Sequence, residues 1–242
     1  PHVNELYSSG LHHGAGTYDL GDETLQSETG IKWLTTFAYK HPKLQLNVDM
    51  YLQWIKNYIY DYPTGEVRTL FSGVYPIFQY TQANAFFRGV DLDVKVPLLR
   101  WQHLSNHSLE YELKGSVVFA NEMKTHRYFP FIPAPRLSQS LEWKSQPKGL
   151  FQSLEASIGH TFVAKQTRFE PSQELVATTP DAYHLFEAAI GGTIAIGEQQ
   201  TLSVRLSAEN LFNQLYKEYT NRFRYYAHDL GRNVYLRLNY NF

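Results

Sequence analysis

The sequence predicts an all-β fold, a transmembrane antiparallel β-barrel, and two observations lead to this prediction. The first is the end of the chain, where residues 232–242 carry an apolar side chain at every second position and finish on Phe242. Successive side chains of a strand point to opposite faces, so one face of this segment suits lipid and the other suits water. A soluble β-sandwich strand shows the same alternation, and the second observation, the length of the connections, separates the two classes.

The alternation recurs along the chain and predicts nine strands. The predicted strands cover residues 26–40, 44–60, 85–98, 108–120, 136–145, 150–164, 182–196, 200–213 and 231–242. Charged side chains such as Asp49, Asp91 and Glu112 fall on the polar parity of their strands. The fit is weakest in 150–164, where His160 lies on the otherwise apolar parity. Each predicted strand therefore offers one apolar and one polar face.

The connections between these strands alternate in length. The short ones are 41–43, 100–107, 145–149 and 197–200, and the long ones are 61–84, 121–135, 165–181 and 214–230. Outer-membrane barrels have short periplasmic turns and long extracellular loops, with aromatic girdles near the strand ends. We therefore expect a periplasmic C-terminus, an extracellular loop over residues 1–25, and strands and loops over residues 26–242.

Composition excludes several function classes. The formal net charge of −1 gives no electrostatic footprint for nucleic acid, and the absence of cysteine excludes disulfides and thiol catalysis. No apolar stretch is long enough for a membrane-spanning helix. The sequence also lacks the G-x-S-x-G and H-E-x-x-H motifs, so we expect no enzyme and assign no catalytic residue. A barrel lipase or protease stays a remote alternative.

The number of predicted strands indicates an incomplete barrel. Bacterial single-chain barrels have an even number of strands, whereas nine is odd. An open sheet would also leave unpaired backbone groups facing lipid, and each costs several kcal/mol. We expect this chain to be the C-terminal portion of a barrel that the N-terminal part of the same receptor closes, either as one polypeptide or as a separate chain.

Three ordered stretches resemble the TonB-dependent outer-membrane receptors. They are Pro1–Gly14 with the following Tyr18–Asp22 and Leu25–Gly30, then Thr179–Leu185, and finally Ala208–Tyr216 with Gly231, Arg232 and Phe242. The last stretch is similar to the "NLF(N/D)xxY … GR … F" ending of that family. The resemblance implies nine strands of a 22-stranded barrel with a plug domain, and the plug is absent from this chain.

The family resemblance also implies a function. It implies uptake of a scarce nutrient across the Gram-negative outer membrane, driven by TonB acting through the plug, with outer-membrane lipid around the barrel. The expected cargo is an iron chelate (a ferric siderophore) or haem, and the runner-up is zinc or another divalent metal. No intrinsic cofactor is expected. A passive porin or adhesin-like barrel is the alternative from another class, and a soluble β-protein is the last one.

Residues 1–25 contain the candidate metal ligands. Imidazole binds zinc, copper and haem iron, so His12 and His13 are the candidates, with Tyr18 beside them as a candidate substrate contact. Adjacent side chains of an extended segment point in opposite directions, so both histidines can hold one ion only if the loop bends. A solvated loop, or a loop that docks on the plug, explains the same residues.

Two long connections contain the other candidate substrate contacts. Arg68 and Tyr75 in 61–84 could stack on an aromatic chelator, and Arg222, Arg224 and Tyr225 in 214–230 would attract an anionic one. Girdle anchoring and packing between loops account for the same side chains.

Overall fold

The computed structural model of the protein describes residues 1–101, 107–147, 149–197 and 200–242, without the side chains of residues 100 and 101. Within this part, nearly all regular structure is β. The strands are β1 (Ser9–His12), β2 (Thr17–Leu20), β3 (Thr29–His41), β4 (Leu44–Leu70), β5 (Gly73–Trp101), β6 (His107–Glu122), β7 (Arg136–Ser145), β8 (Phe151–Val163), β9 (Tyr183–Ala195), β10 (Thr201–Glu209) and β11 (Asn233–Asn241). A short helix α1 (Val3–Tyr7) and two 3₁₀ turns (Pro171–Gln173, Arg222–Tyr225) complete the elements.

The nine predicted strands correspond to β3–β11, and each is antiparallel to the next. The sheet begins at β3 and ends at β11, and no pairing joins these two strands in the part of the chain that the structure describes. The all-β prediction and the prediction of a partial, unclosed barrel are confirmed. Among the described residues, no helix combines the length and apolar character that crossing a membrane requires.

The prediction of a loop over 61–84 is wrong, because β4 and β5 continue through it as one long hairpin that turns only at residues 71–72. Pro63 and Gly65 favour a turn in sequence, but the structure accommodates them as an irregularity in the pairing between Pro63 and Val67, where Gly65 has a φ of +83°. Residues 1–25, predicted as a loop, likewise contain α1 and the hairpin of β1 and β2.

Short and long connections lie at opposite ends of the sheet. The register pairs Thr201 with Asn241 and Phe151 with Ile194, which places the strand ends beside the short turns at the same end as the C-terminus. The predicted turns 100–107, 145–149 and 197–200 include residues 102–106, 148 and 198–199, which lie outside the described residues. The other end, called here the long-loop end, carries residues 1–25, the tip of the β4–β5 hairpin and the connections 123–135, 164–182 and 210–232.

The two faces of the sheet differ in chemistry, as the alternation predicts. The apolar face exposes large side chains, including Trp33 (65% exposed), Leu206 (47%) and Leu236 (59%). On the polar face charged groups pair across strands, for example Lys95 Nζ with a Glu112 carboxylate oxygen at 3.0 Å. Cross-strand pairs of this kind stabilise a sheet and fix its register.

The main packed core lies on the polar face at the long-loop end. There the connection 123–135 folds back over the sheet and inserts Phe129, which is 2% exposed. Its ring meets the edges of Tyr58 and Tyr60 at centroid distances of 5.0 and 4.9 Å, next to the buried Ala85 and Ala120. Edge-to-face contacts of aromatic rings add to the stabilisation from burial, so this core fixes one wall of the long-loop end.

Candidate ligand-binding surface

The candidate ligand-binding surface lies at the long-loop end. Five segments meet there: residues 1–25, the tip of the β4–β5 hairpin, and the connections 123–135, 164–182 and 210–232. β6 stops at Glu122, which pairs with Ala85, and so leaves the upper part of β5 without a neighbour on that side. β2 fills the vacant edge by pairing in parallel with residues 77–79. Covering a bare strand edge satisfies its backbone groups, and here it also brings residues 1–25 against the β4–β5 hairpin.

Arg222 ties three of these segments together. Its guanidinium contacts the carboxylates of Asp61 on β4 and Asp19 on β2, the latter at 3.5 Å, and its Cζ lies 4.9 Å from the ring centroid of Phe78. Asp19 is 5% exposed and Phe78 is fully buried. Burial lowers the pKa of Arg222, and the negative charge of Asp19 opposes that shift. The cation predicted to attract an anionic ligand is therefore neutralised by the protein itself.

Arg224 is enclosed by the protein even more completely than Arg222. It is 3% exposed, it forms an ion pair with Glu174, and its Cζ lies 4.3 Å from the Tyr219 ring and 4.5 Å from the Tyr225 ring. The hydroxyls of both tyrosines donate to the Glu174 carboxylate, that of Tyr225 at 2.7 Å. Burial raises the pKa of Tyr219 and Tyr225, and the hydrogen bond to Glu174 adds to both shifts. Arg224 and Tyr225 thus join connection 210–232 to connection 164–182.

Arg68 has a different environment. It is exposed near the tip of the β4–β5 hairpin, and its Cζ lies 5.6 Å from the ring centroid of Tyr18. Tyr75 pairs with Arg68 across the hairpin and donates its hydroxyl to the Ser72 carbonyl at 3.2 Å. Among the described residues Arg68 forms no ion pair. The structure therefore brings Tyr18 together with Arg68 and Tyr75, which lie 50 and 57 residues later in the sequence.

His12 and His13 lie beside this group, at the turn of the β1–β2 hairpin, and both are exposed. The carbonyl of His12 accepts hydrogen bonds from Ala15 and Gly16, and the Tyr226 hydroxyl donates to the Gly16 carbonyl at 3.1 Å. The described part of the chain holds no group of three or more potential metal-ligating side chains. Metal binding by the two histidines stays a prediction.

The carboxylates that neutralise the two connection arginines are not predictable from the sequence. Asp19, Asp61 and Glu174 come from three separate segments, and no local pattern links them to residues 222–224. The same is true of a second polar cluster, in which Glu218 accepts from the Tyr183 hydroxyl at 2.7 Å and pairs with Arg136. This cluster borders a cavity of about 380 Å³ on the polar face.

The motif at 208–216 serves the architecture of this end. Asn210 and Asn213 both have positive φ, at 45° and 55°, a conformation that asparagine tolerates better than most residues. The Asn210 side chain donates to the Gln214 carbonyl at 2.9 Å, and the Asn213 side chain accepts from the Arg232 backbone at 2.9 Å. A Cβ at Gly231 would lie 2.7 Å from the Asn213 side-chain oxygen, so this glycine permits the close approach.

Comparison with known proteins decides the family. The model described as "TonB dependent receptor-like, beta-barrel" matches residues 1–211 of the chain. The chain belongs to the TonB-dependent receptor family. No curated protein sequence matches it.

Solved structures show the same TonB-dependent receptor fold. The copper transporter OprC has a TM-score of 0.68 at 17% identity, over 98% of this chain and 34% of that one. The FrpB iron transporter from Neisseria meningitidis (F3-3 variant) gives 0.59 at 14%, over 91% and 32%. The siderophore receptor PirA from Acinetobacter baumannii gives 0.58 at 13%, over 95% and 34%. This TonB-dependent receptor chain thus spans about a third of the length of each of these three structures, which are described as two transporters and a siderophore receptor.

Proposed function

We propose that this chain forms the C-terminal barrel portion of a receptor that takes up an iron chelate, a ferric siderophore or haem, in a TonB-dependent manner. The observation that carries the proposal is the exposed Arg68, which faces Tyr18 beside Tyr75 at the long-loop end. Ferric chelates are often anionic and aromatic. A free guanidinium attracts the charge, and the tyrosine rings can stack on the chelating groups.

The other connection arginines support this surface without contacting cargo. Arg222 and Arg224 are held by Asp19, Asp61 and Glu174, so their charges are already compensated. Their ion pairs fix the β1–β2 hairpin and connections 164–182 and 210–232 against the β4–β5 hairpin. Arg68 and its neighbouring rings are therefore presented on a preorganised surface, which lowers the entropic cost of binding.

Membership of the family supports the remaining parts of the proposal. The N-terminal part of the receptor supplies the plug and the remaining strands, TonB acts through the plug, and lipid of a Gram-negative outer membrane contacts the apolar face. The long-loop end faces the exterior and Phe242 lies on the periplasmic side, since extracellular loops are the long ones in such barrels.

Divalent metal is the second candidate cargo, because His12 and His13 are exposed next to Tyr18 and neutral imidazole binds zinc and copper. Relatives of the fold are described as transporters of copper and of iron and as a siderophore receptor, so their cargoes do not choose between the two candidates. The residues that each cargo would need are different, which makes the choice testable.

The test measures binding and uptake by the complete receptor in a Gram-negative host. We expect Arg68→Ala to weaken binding of the ferric siderophore or haem about fivefold to thirtyfold, on the scale of a cation–π contact with a charge interaction. Glu66→Ala, an exposed change on the same hairpin, is the matched control and should leave binding unchanged. Uptake should also stop when TonB is deleted, whereas a passive porin would continue.

Histidine variants decide between the cargoes. If His12→Ala with His13→Ala abolishes zinc binding while Arg68→Ala changes nothing, the divalent-metal candidate replaces the chelate. Unchanged affinity for haem and zinc in the histidine variant would remove the histidines from the site.

A further inference from the structure

The apolar face of the sheet carries an arginine. The register places Arg88 in one row with Trp33, Leu52 and Phe119, all on the face that exposes large apolar side chains. A cation on the lipid-facing side of a barrel is destabilising unless it reaches the interface or finds a partner. Arg88 bends toward the long-loop end, with its Cζ 5.5 Å from the Phe86 ring centroid and 5.3 Å from that of Phe119.

A second arginine reaches the same ring from a distant segment. Arg168, in connection 164–182, places its Cζ 4.1 Å from the Phe119 centroid. The connection is anchored there by Gln166, which is 1% exposed and donates to the Ile132 carbonyl at 2.8 Å. The Arg168 backbone in turn donates to the Gln166 side chain at 3.1 Å. These hydrogen bonds hold the Arg168 segment beside Phe119, so the guanidiniums of Arg88 and Arg168 both lie near one phenylalanine ring.

These two cations have no counter-ion among the described residues. Neither Arg88 nor Arg168 forms an ion pair there, and Nε and Nη2 of Arg168 are covered and make no hydrogen bond. Burial lowers the pKa of Arg168, Tyr128 opposes this shift, and the charge of Arg88 adds to it. An anion beside the two side chains would relieve the repulsion between their charges.

An apolar groove begins directly beside Arg88. It is a cavity of about 390 Å³ on the apolar face, and its walls include Trp33, Leu52, Met50 and Val90. The row of Thr35, Met50 and Val90 follows the Arg88 row toward the short-turn end, so the groove runs down the sheet from the guanidinium. Its apolar walls suit part of a hydrocarbon chain, while the two arginines at its upper end suit an anion.

We propose that Arg88 and Arg168 bind the phosphate of an outer-leaflet membrane lipid whose acyl chain occupies this groove. Arginine is the side chain best matched to phosphate, because its planar fork donates two parallel hydrogen bonds. Arg88 lies at the membrane depth expected for a lipid headgroup. The next row toward the long-loop end contains the stacked rings of Trp54 and Phe86, 5.1 Å apart, and an aromatic girdle marks the membrane interface in such barrels. The inference rests on the proposed outer-membrane placement.

The test uses the complete receptor purified in dodecyl maltoside, a detergent without phosphate, and follows binding by native mass spectrometry and titration. Three probes separate the contributions: phosphatidic acid, diacylglycerol with the same acyl chains, and inorganic phosphate. We expect phosphatidic acid to bind the wild type at least about tenfold more tightly than either other probe, on the scale of one charge-assisted bidentate contact.

Variants then locate the binding site. The double variant Arg88→Gln, Arg168→Gln should lose about tenfold or more in affinity for phosphatidic acid. Val90→Trp, which fills the groove, should weaken the same binding while both arginines remain. The matched control is Arg237→Gln, because Arg237 is an exposed arginine on the polar face, paired in register with Arg205. This control should bind like the wild type. The heat-modifiable mobility of the barrel on gels tests whether each variant is folded.

Three results would overturn the proposal. The first is equal binding of phosphatidic acid by the double arginine variant and by the wild type. The second is diacylglycerol binding as tightly as phosphatidic acid, which would leave the arginines without a role. The third is inorganic phosphate competing fully while Val90→Trp has no effect, which would indicate an anion from solution. Cargo uptake is scored separately, so a failed lipid site leaves the proposed uptake function standing, and a receptor lacking uptake does not change the lipid result.

Discussion

Two arginine pairs lie at the long-loop end of this protein, and only one of them has carboxylates that balance its positive charge. Arg222 and Arg224 are enclosed among the connections, where three carboxylates and two tyrosine rings surround them. Arg88 and Arg168 share one phenylalanine ring on the apolar face and have no carboxylate among the described residues. A buried ion pair is a structural element whose loss is costly, whereas an uncompensated pair indicates a missing partner. The comparison predicts opposite responses to mutation.

The largest effect is expected at Glu174. Glu174→Gln would leave the buried Arg224 without its counter-charge, which costs about 3–5 kcal/mol. The appropriate measurement is the local opening free energy of connection 210–232 by amide hydrogen exchange, because it reports on this connection separately from the strands. The control is Glu170→Gln, which lies in the same connection as Glu174 and outside any ion pair of the described residues. It should change the opening free energy by less than about 0.5 kcal/mol. Equal protection in the two variants would remove the structural role assigned to Arg224.

A smaller loss is expected at Asp61, because Arg222 has two carboxylates. Asp61→Asn leaves Asp19 in place and still offers an oxygen to the guanidinium, so we expect a cost of about 1–2 kcal/mol. Adding Asp19→Asn should raise the loss to the range expected for Glu174→Gln. If the double variant costs no more than the single one, the redundancy inferred from the geometry is absent. The same hydrogen-exchange experiment measures both variants.

Alkaline pH should loosen the same connections. The pKa values of Tyr219 and Tyr225 are raised in the folded protein, so folding favours their protonated forms. Their contribution to stability is fully present below the ordinary tyrosine pKa of about 10 and is lost as pH rises above it. Near-ultraviolet circular dichroism between pH 9 and about 12 should show this opening, and Tyr219→Phe with Tyr225→Phe should flatten the pH dependence. An unchanged pH dependence of the circular dichroism signal in the double variant would contradict the role given to these two tyrosines.

The smallest effect, and one of opposite sign, is expected at Arg88. Arg88→Leu removes an uncompensated charge from the apolar face near the interface, where such a charge costs about 0–1 kcal/mol. The variant should therefore be as stable as the wild type or slightly more stable in dodecyl maltoside, by urea unfolding. A clear destabilisation would show that Arg88 already has a partner, and the contrast with Arg224 would disappear.

Much of the fold could be predicted from sequence, because side-chain alternation is a local property of strands. It gave β3–β11, the two faces and the ends at which short and long connections lie. It failed at Pro63 and Gly65, because a residue that favours a turn can instead sit in an irregular stretch of a strand pair. It flagged His160 on the apolar parity, and the structure gives this residue partners there, with His184 Nδ1 at 2.9 Å and the Gln139 side chain at 3.1 Å.

The candidate site was less predictable than the fold. The sequence identified Tyr18, Arg68 and Tyr75 by residue type, and only the parallel pairing of β2 with β5 explains why they meet. That pairing depends on where β6 ends, a property of a neighbouring strand. Arg222 and Arg224 looked like free cations because their carboxylates lie 50 or more positions away in the chain, beyond the reach of any periodic pattern.

The length of the β4–β5 hairpin has a consequence for the cell surface. β5 contains 29 residues, so at about 3.3 Å per residue it is roughly 95 Å long, or about 70 Å along the membrane normal at the tilt usual for barrel strands. The apolar band of such barrels is only about 25 Å tall. In the orientation proposed above, the hairpin tip, with the fully exposed Phe71, therefore stands several nanometres above the bilayer, where an antibody or a large chelate can reach it.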